Sequence, residues 1–217
     1  MNIYDRNPGS LISRLVMTLF LSFIYLLIVP ASPGYSQEVK EEVALIIVDV
    51  QMFYFPGGSS PLVDPEKASL NAGRILAAFR QKNLPVIHVR HNTKQGSDIH
   101  PNVAPLRNEK VISKNRASSF YETDLLEYLK ELNVSKLVIC GMMTHMCVEA
   151  TTRAASDLGF ECTVIGDACT TKDLRYESTI IKANDVHLST LSTLSGTYAK
   201  ILETEKWIKT FHSDEKK

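Results

Sequence analysis

The chain has 217 residues, 44% of them hydrophobic, which is enough to bury one α/β core but too little chain for two large domains. Lys plus Arg and Asp plus Glu each number 24, so the formal net charge is zero. That balance offers no basic field of the kind nucleic-acid binding needs, and it argues against a nucleic-acid partner.

The N-terminal stretch differs from the rest. Arg6 and Arg14 precede the apolar run from Leu15 to Pro30, and the small, turn-forming residues Ala31 to Ser36 follow it. This is the layout of an export signal. Residues 1–36 are therefore read as a signal peptide cut after Ser36, with Gly34 and Ser36 in the small-residue positions, and residues 37–217 as the mature domain. The apolar run is shorter than the roughly 20 residues that span a bilayer, and an uncleaved membrane anchor is the alternative. The protein is expected to be exported, periplasmic or extracellular, with membrane contact only if the segment stays attached.

Along the mature chain, Val43 to Val48 is almost purely apolar, as in a parallel strand buried on both faces, and Asp49 closes it. Ala68, Ala72, Ile75, Leu76 and Phe79 then share one helical face, and "PVIHV" reads as the next strand. Asn92 to Asn108 is polar and aperiodic, a long loop of the functional kind. "KVISK" is a short strand ending in Lys114, and "ETDLLEYLKEL" a helix presenting Leu125, Leu126, Leu129 and Leu132. Strand "KLVIC" follows, then a helix from about Met146 to Leu158 ended by Gly159. Strand "ECTVIG", a helix near Glu177 to Leu191 and a weak strand "TYAKIL" complete the pattern. Alternation of this kind predicts a Rossmann-like three-layer α/β/α fold with a mainly parallel six-stranded sheet, and ligands bind at the carboxyl ends of its strands.

Asp49, Lys114 and Cys147 all fall at or just beyond those ends. A cysteine attacks well as thiolate, and the helix start expected at Cys147 would supply positive potential through free N–H groups. Equally, Cys147 belongs to a stripe of mostly small residues with Ala150, Thr151, Ala154 and Leu158, and spacing alone leaves it as core filler. A carboxylate directly after a buried apolar run is costly unless it ends in a polar site. Of the four cysteines, Cys140 and Cys162 lie in apolar runs and read as inert thiols, while Cys169 is a candidate for reversible pairing with Cys147.

"ALIIVDVQ", "FPGG", the lysine of "VISKNRASSFYETDL", "VICGMMTHMCVEATTRAASDLGF" and "VIGDACTT" together resemble the isochorismatase-like cysteine hydrolases over residues 43–203. "GMMTHMCV" and "DACTT" are most similar to the streptothricin-hydrolase-like members, which open an amide in a cyclic lactam. The resemblance implies Cys147 as nucleophile, Asp49 as general base and Lys114 as the cation orienting the aspartate and stabilising the thiolate. It also implies a cis peptide between Met142 and Met143, aiming the Met143 N–H with that of Cys147 into an oxyanion hole. A homo-oligomer is expected on the same ground.

The metal-binding Asp-x-His of nicotinamidases has no counterpart in "FYFPGGSSPLVDPEKASL", so neither a metal nor another cofactor is expected. His88 and His91, three apart near a strand, point to opposite faces and are read as structural. His187 shares a predicted helix face with Ile180, Asn184 and Leu191 and is read as a core histidine. Phe53, Tyr54 and Phe55 are candidate pocket walls, with Met142, Met143 and Met146 as adaptable apolar filling and His145 as a candidate substrate contact. The expected activity is hydrolysis of a small amide or lactam through a cysteine thioester. A vinyl-ether hydrolase using the aspartate and a non-catalytic small-molecule-binding module remain as alternatives.

Overall fold

The computed structural model describes residues 42–213; the expected export segment, residues 1–36, lies outside the described residues. Strand β1, Glu42–Val48, begins the sheet and has Ala44 to Val48 wholly buried. Helix α1, Pro65–Gln81, starts with a proline at its first turn, where the missing N–H costs nothing, and buries the predicted face of Ala68, Ala72, Ile75, Leu76 and Phe79. Strands β2, Val86–His91, and β3, Lys110–Lys114, flank the long loop, and helix α2 spans Leu125–Glu131. Strand β4, Val134–Met142, leads through a π-type turn, Thr144–Val148, into helix α3, Glu149–Asp157. Strand β5, Glu161–Thr170, precedes a hairpin of β6, Leu174–Tyr176, and β7, Thr179–Ile181. Helix α4, Ala183–Leu194, strand β8, Lys200–Leu202, and helix α5, Thr204–Ser213, follow.

Six strands form one parallel sheet in the order β3-β2-β1-β4-β5-β8. The order runs one way from β1 to β2 and the other way from β4 through β5 to β8. Right-handed crossovers therefore put α1 on one face and α3 with α4 on the other, the three-layer arrangement expected. The reversal of direction falls between β1 and β4, where such sheets leave a crevice at their carboxyl ends. Among the described residues no helix is long and apolar enough to cross a membrane.

Two expectations are corrected. The helix placed near Glu177 to Leu191 begins only at Ala183, and its first part is the β6–β7 hairpin, paired antiparallel with Tyr176 opposite Thr179. Ile180 therefore belongs to β7 rather than to a helix face shared with His187. Helix α5 was not anticipated. It packs because Trp207 and Phe211 stack on Phe79 of α1, with centroids 5.6 and 5.3 Å away.

Candidate active site

The carboxyl ends of β1, β2, β3 and β4 bring four side chains together. Asp49 follows β1 in the left-handed region, at φ 51°, which lets the chain turn sharply off the sheet. Its carboxylate is fully buried, and Lys114, the last residue of β3, reaches it with Nζ 2.6 Å from Oδ2. Lys114 is itself only 1% exposed. Neither Asp49 oxygen accepts a further hydrogen bond of ordinary geometry, so the ion pair and the neighbouring Cys147 thiol are what faces the carboxylate.

Cys147 lies in the turn after β4. That turn can pass close to Asp49 because residue 141 is glycine: at φ 131° a Cβ there would meet the Val48 carbonyl oxygen at 2.0 Å. The Met142–Met143 peptide is cis, as the resemblance implied. The helix start expected at Cys147 is displaced, since regular helix begins at Glu149 and the cysteine sits inside the π-type turn.

The electrostatics also differ from the expectation of a preformed thiolate. Burial, and next the charge of Asp49, push the Cys147 thiol up to about 12, against the opposing pull of Lys114. Burial likewise raises the Asp49 carboxyl above its usual value, while Lys114 and the Cys147 thiol draw it back down. The resting pair is therefore a thiol beside a carboxylate of unusually high proton affinity, which suits proton transfer on demand.

His91, taken from the sequence as structural, stands in this cluster. His88 does face away, bonding Glu109 Oε2 through Nε2 at 2.9 Å. His91 instead pairs with Lys114 across β2 and β3, and its Nδ1 lies 3.3 Å from Lys114 Nζ. The missing signal was register, because only the pairing of β2 with β3 says which of the two histidines shares a face with Lys114. Asp49, His91 and Cys147 each place one potential ligand atom within 4.8 Å of the others, the one such metal-capable group among the described residues. The Lys114 ammonium already lies between Asp49 and His91 and supplies the cationic charge there.

The remaining candidates divide. Tyr54 is buried near Cys147 and Asp49, and burial first, then the Asp49 carboxylate and Cys147 once ionised, raise its phenol. Phe55 stacks on His100 of the long loop after β2, with centroids 3.8 Å apart, and so packs between the two loops. Phe53 lies against Tyr54 and lines a cavity of about 370 Å³ with Met52, Gly57 and Gly96, to which none of Asp49, His91, Lys114 and Cys147 contributes. His145 donates to or accepts from Thr171 Oγ1 at 2.5 Å through Nδ1, and His187 Nδ1 is 2.9 Å from Thr144 Oγ1, so both brace the Cys147 turn. Met142 and Met143 are buried, whereas Met146 is exposed. All four cysteines are free, and Cys169 makes no disulfide with Cys147.

Comparison with known proteins identifies the family to which this fold belongs. The isochorismatase domain family matches residues 43–194. The chain is 42% identical over 177 residues to the uncharacterized isochorismatase family protein YddQ of Bacillus subtilis (strain 168), covering 76% of this chain and 98% of that one. It is 30% identical over 142 residues to a streptothricin hydrolase of Streptomyces noursei, covering 60% of this chain and 50% of that protein. Among solved structures, an isochorismatase from Pseudomonas putida KT2440 superposes with TM-score 0.73 at 33% identity, covering 76% of this chain and 89% of that one. The family match over residues 43–194, together with 42% identity to YddQ across 98% of that protein, places the chain in the isochorismatase family of hydrolases.

Proposed function

We propose that the protein hydrolyses a C–N bond of a small amide or lactam through a thioester on Cys147. The observation that carries this reading is the buried contact of Asp49 with both Lys114 and Cys147. An acid, a cation and a thiol held together at strand ends are a costly arrangement for a protein that only binds. The similarity to a streptothricin hydrolase supports an amide or lactam among the family's substrates.

In the proposed sequence Asp49 takes the thiol proton as sulfur attacks the carbonyl carbon. The C–S bond forms, and the carbonyl oxygen, now an oxyanion, rests on the N–H groups of Met143 and Cys147. Collapse breaks the C–N bond, and Asp49 returns its proton to the leaving nitrogen. Water then attacks the thioester, giving its proton to Asp49, and the free acid leaves as sulfur recovers that proton. Lys114 keeps the aspartate oriented and compensates the negative charge throughout.

The test is single-turnover mass spectrometry against a panel of small amides and lactams. An acyl adduct on Cys147 in wild type, absent in Cys147→Ala, supports the reading. Turnover undiminished in Cys147→Ala overturns it, and aspartate-dependent turnover of isochorismate without an adduct would favour vinyl-ether hydrolysis.

A further inference from the structure

Lys114 has three N–H donors and no acceptor. One faces Asp49 Oδ2 at 2.6 Å, and another is donated to the Arg116 carbonyl oxygen at 3.0 Å. His91 Nδ1 is also within reach, at 3.3 Å, and the Cys147 sulfur stands beside the ammonium as well. An ammonium can only donate, so an imidazole bonded to it there must present the bare lone pair of Nδ1 and carry its proton on Nε2.

The backbone around His91 is fixed from the base side of the site. Gln51, fully buried two residues after Asp49, accepts from the His91 N–H at 2.7 Å and donates to the His91 carbonyl at 3.0 Å and the Ser97 carbonyl at 2.8 Å. One side-chain amide thus reads both backbone groups of the histidine. It ties the end of β2 to the loop that carries the aspartate, while β2 holds β3 in register at Lys114.

We propose that His91 is a positioning residue: as a neutral imidazole protonated on Nε2, it receives a hydrogen bond from Lys114 on Nδ1 and thereby holds the ammonium against Asp49. This rests on the thiol-hydrolase reading of the site and adds to it a residue that acts through Lys114. The partly exposed imidazole is backed by burial and by the Lys114 charge, both of which disfavour its protonation, against the weaker opposite pull of Asp49. Without the imidazole, the donor that faces Nδ1 loses that acceptor, and the ammonium is free to turn from the carboxylate toward the Cys147 sulfur.

Two measurements test it. Nitrogen-15 NMR of histidine-labelled wild-type protein at pH 7, with the His91 signals assigned by their loss in His91→Gln, reads the tautomer directly. The expected result is a neutral ring protonated on Nε2; a ring protonated on Nδ1, or an imidazolium, overturns the proposal. The tautomer is read on the wild-type protein, and if His91→Gln fails to fold, through-bond correlation to the assigned backbone identifies the His91 ring instead. The second is the rate of Cys147 alkylation by iodoacetamide. His91→Leu should slow it by about tenfold or more, while His91→Gln, whose amide oxygen also accepts, should stay within about threefold of wild type. Wild-type reactivity in His91→Leu overturns the positioning role. Failure of the underlying hydrolase reading looks different: Cys147 of the wild type would then react no faster than the buried Cys140, Cys162 and Cys169, whichever tautomer His91 holds.

Discussion

At the residue scale, the proposed reaction would start from a buried thiol beside a carboxylate of raised proton affinity rather than from a standing thiolate. Because Asp49 must be ionised to act as base and burial raises its pKa, turnover should fall as pH drops through a value above the ordinary 3.8 of a carboxyl. A pH–rate profile whose acidic limb lies at or below that value would contradict this. Asp49→Asn should lower the single-turnover rate by roughly 10²-fold or more, the usual contribution of a general base. The ion pair makes a second prediction. Lys114→Met leaves a buried carboxylate unpaired and should cost about 3 kcal/mol or more of stability by urea unfolding. The double variant Asp49→Asn with Lys114→Met should recover most of that loss, because both charges are gone. Asp49 stood out in the sequence as a charge ending an apolar run, whereas spacing alone left Cys147 as core filler and only the resemblance made it the candidate nucleophile. Lys114 could be placed at a strand end from the sequence, with its role coming from the resemblance, and His91 could not be singled out, since two histidines on opposite faces look equivalent until the neighbouring strand is placed.

At the element scale, the long loop before β3 is pinned by Glu109. It accepts from Arg80 of α1 at 2.7 and 2.8 Å, from the Leu106 N–H at 2.8 Å, and contacts His88 of β2. Burial alone would raise this carboxyl, but those partners outweigh it and hold the value down at about 2. A depressed carboxyl stabilises the fold fully above its unfolded value and loses that contribution as pH falls toward the folded one. Wild type should therefore lose part of its advantage over Glu109→Gln between pH about 4.5 and about 2. Thermal melts of both proteins across that range test it, and parallel curves would refute it. Gly141 gives a sharper case: Gly141→Ala sets a Cβ onto the Val48 carbonyl and should destabilise the β1–β4 pairing by at least about 2 kcal/mol. The strands around both features were readable because buried parallel strands are continuous apolar runs. The β6–β7 hairpin was not, because Tyr176, Ile180 and Ile181 imitate the apolar spacing of a helix while lying exposed, Tyr176 at 71%.

At the scale of the whole molecule, alternation of strand and helix was enough to name the layers, because right-handed crossovers leave few ways to wind them. The strand order was not written there, since it depends on which edge each crossover returns to. Helix α5 escaped notice because its anchor is long-range: Trp207 and Phe211 find Phe79 across more than a hundred residues of chain. Export is a proposal for the whole chain that intact-mass analysis can check in cells producing it. The expected mature protein begins at Gln37, and a protein retaining residues 1–36 would point to an anchor instead.

Trp207 is the only tryptophan in the sequence, and it is almost fully enclosed between Phe79 and Phe211. It sits with α1, across the sheet from the α3 helix that continues from the Cys147 turn. The one tryptophan, excited apart from the eight tyrosines, should therefore register the closing of the fold rather than the occupancy of the cleft. Its emission can follow unfolding in every variant described above, with substrate present, without an optical signal from the reacting end of the sheet.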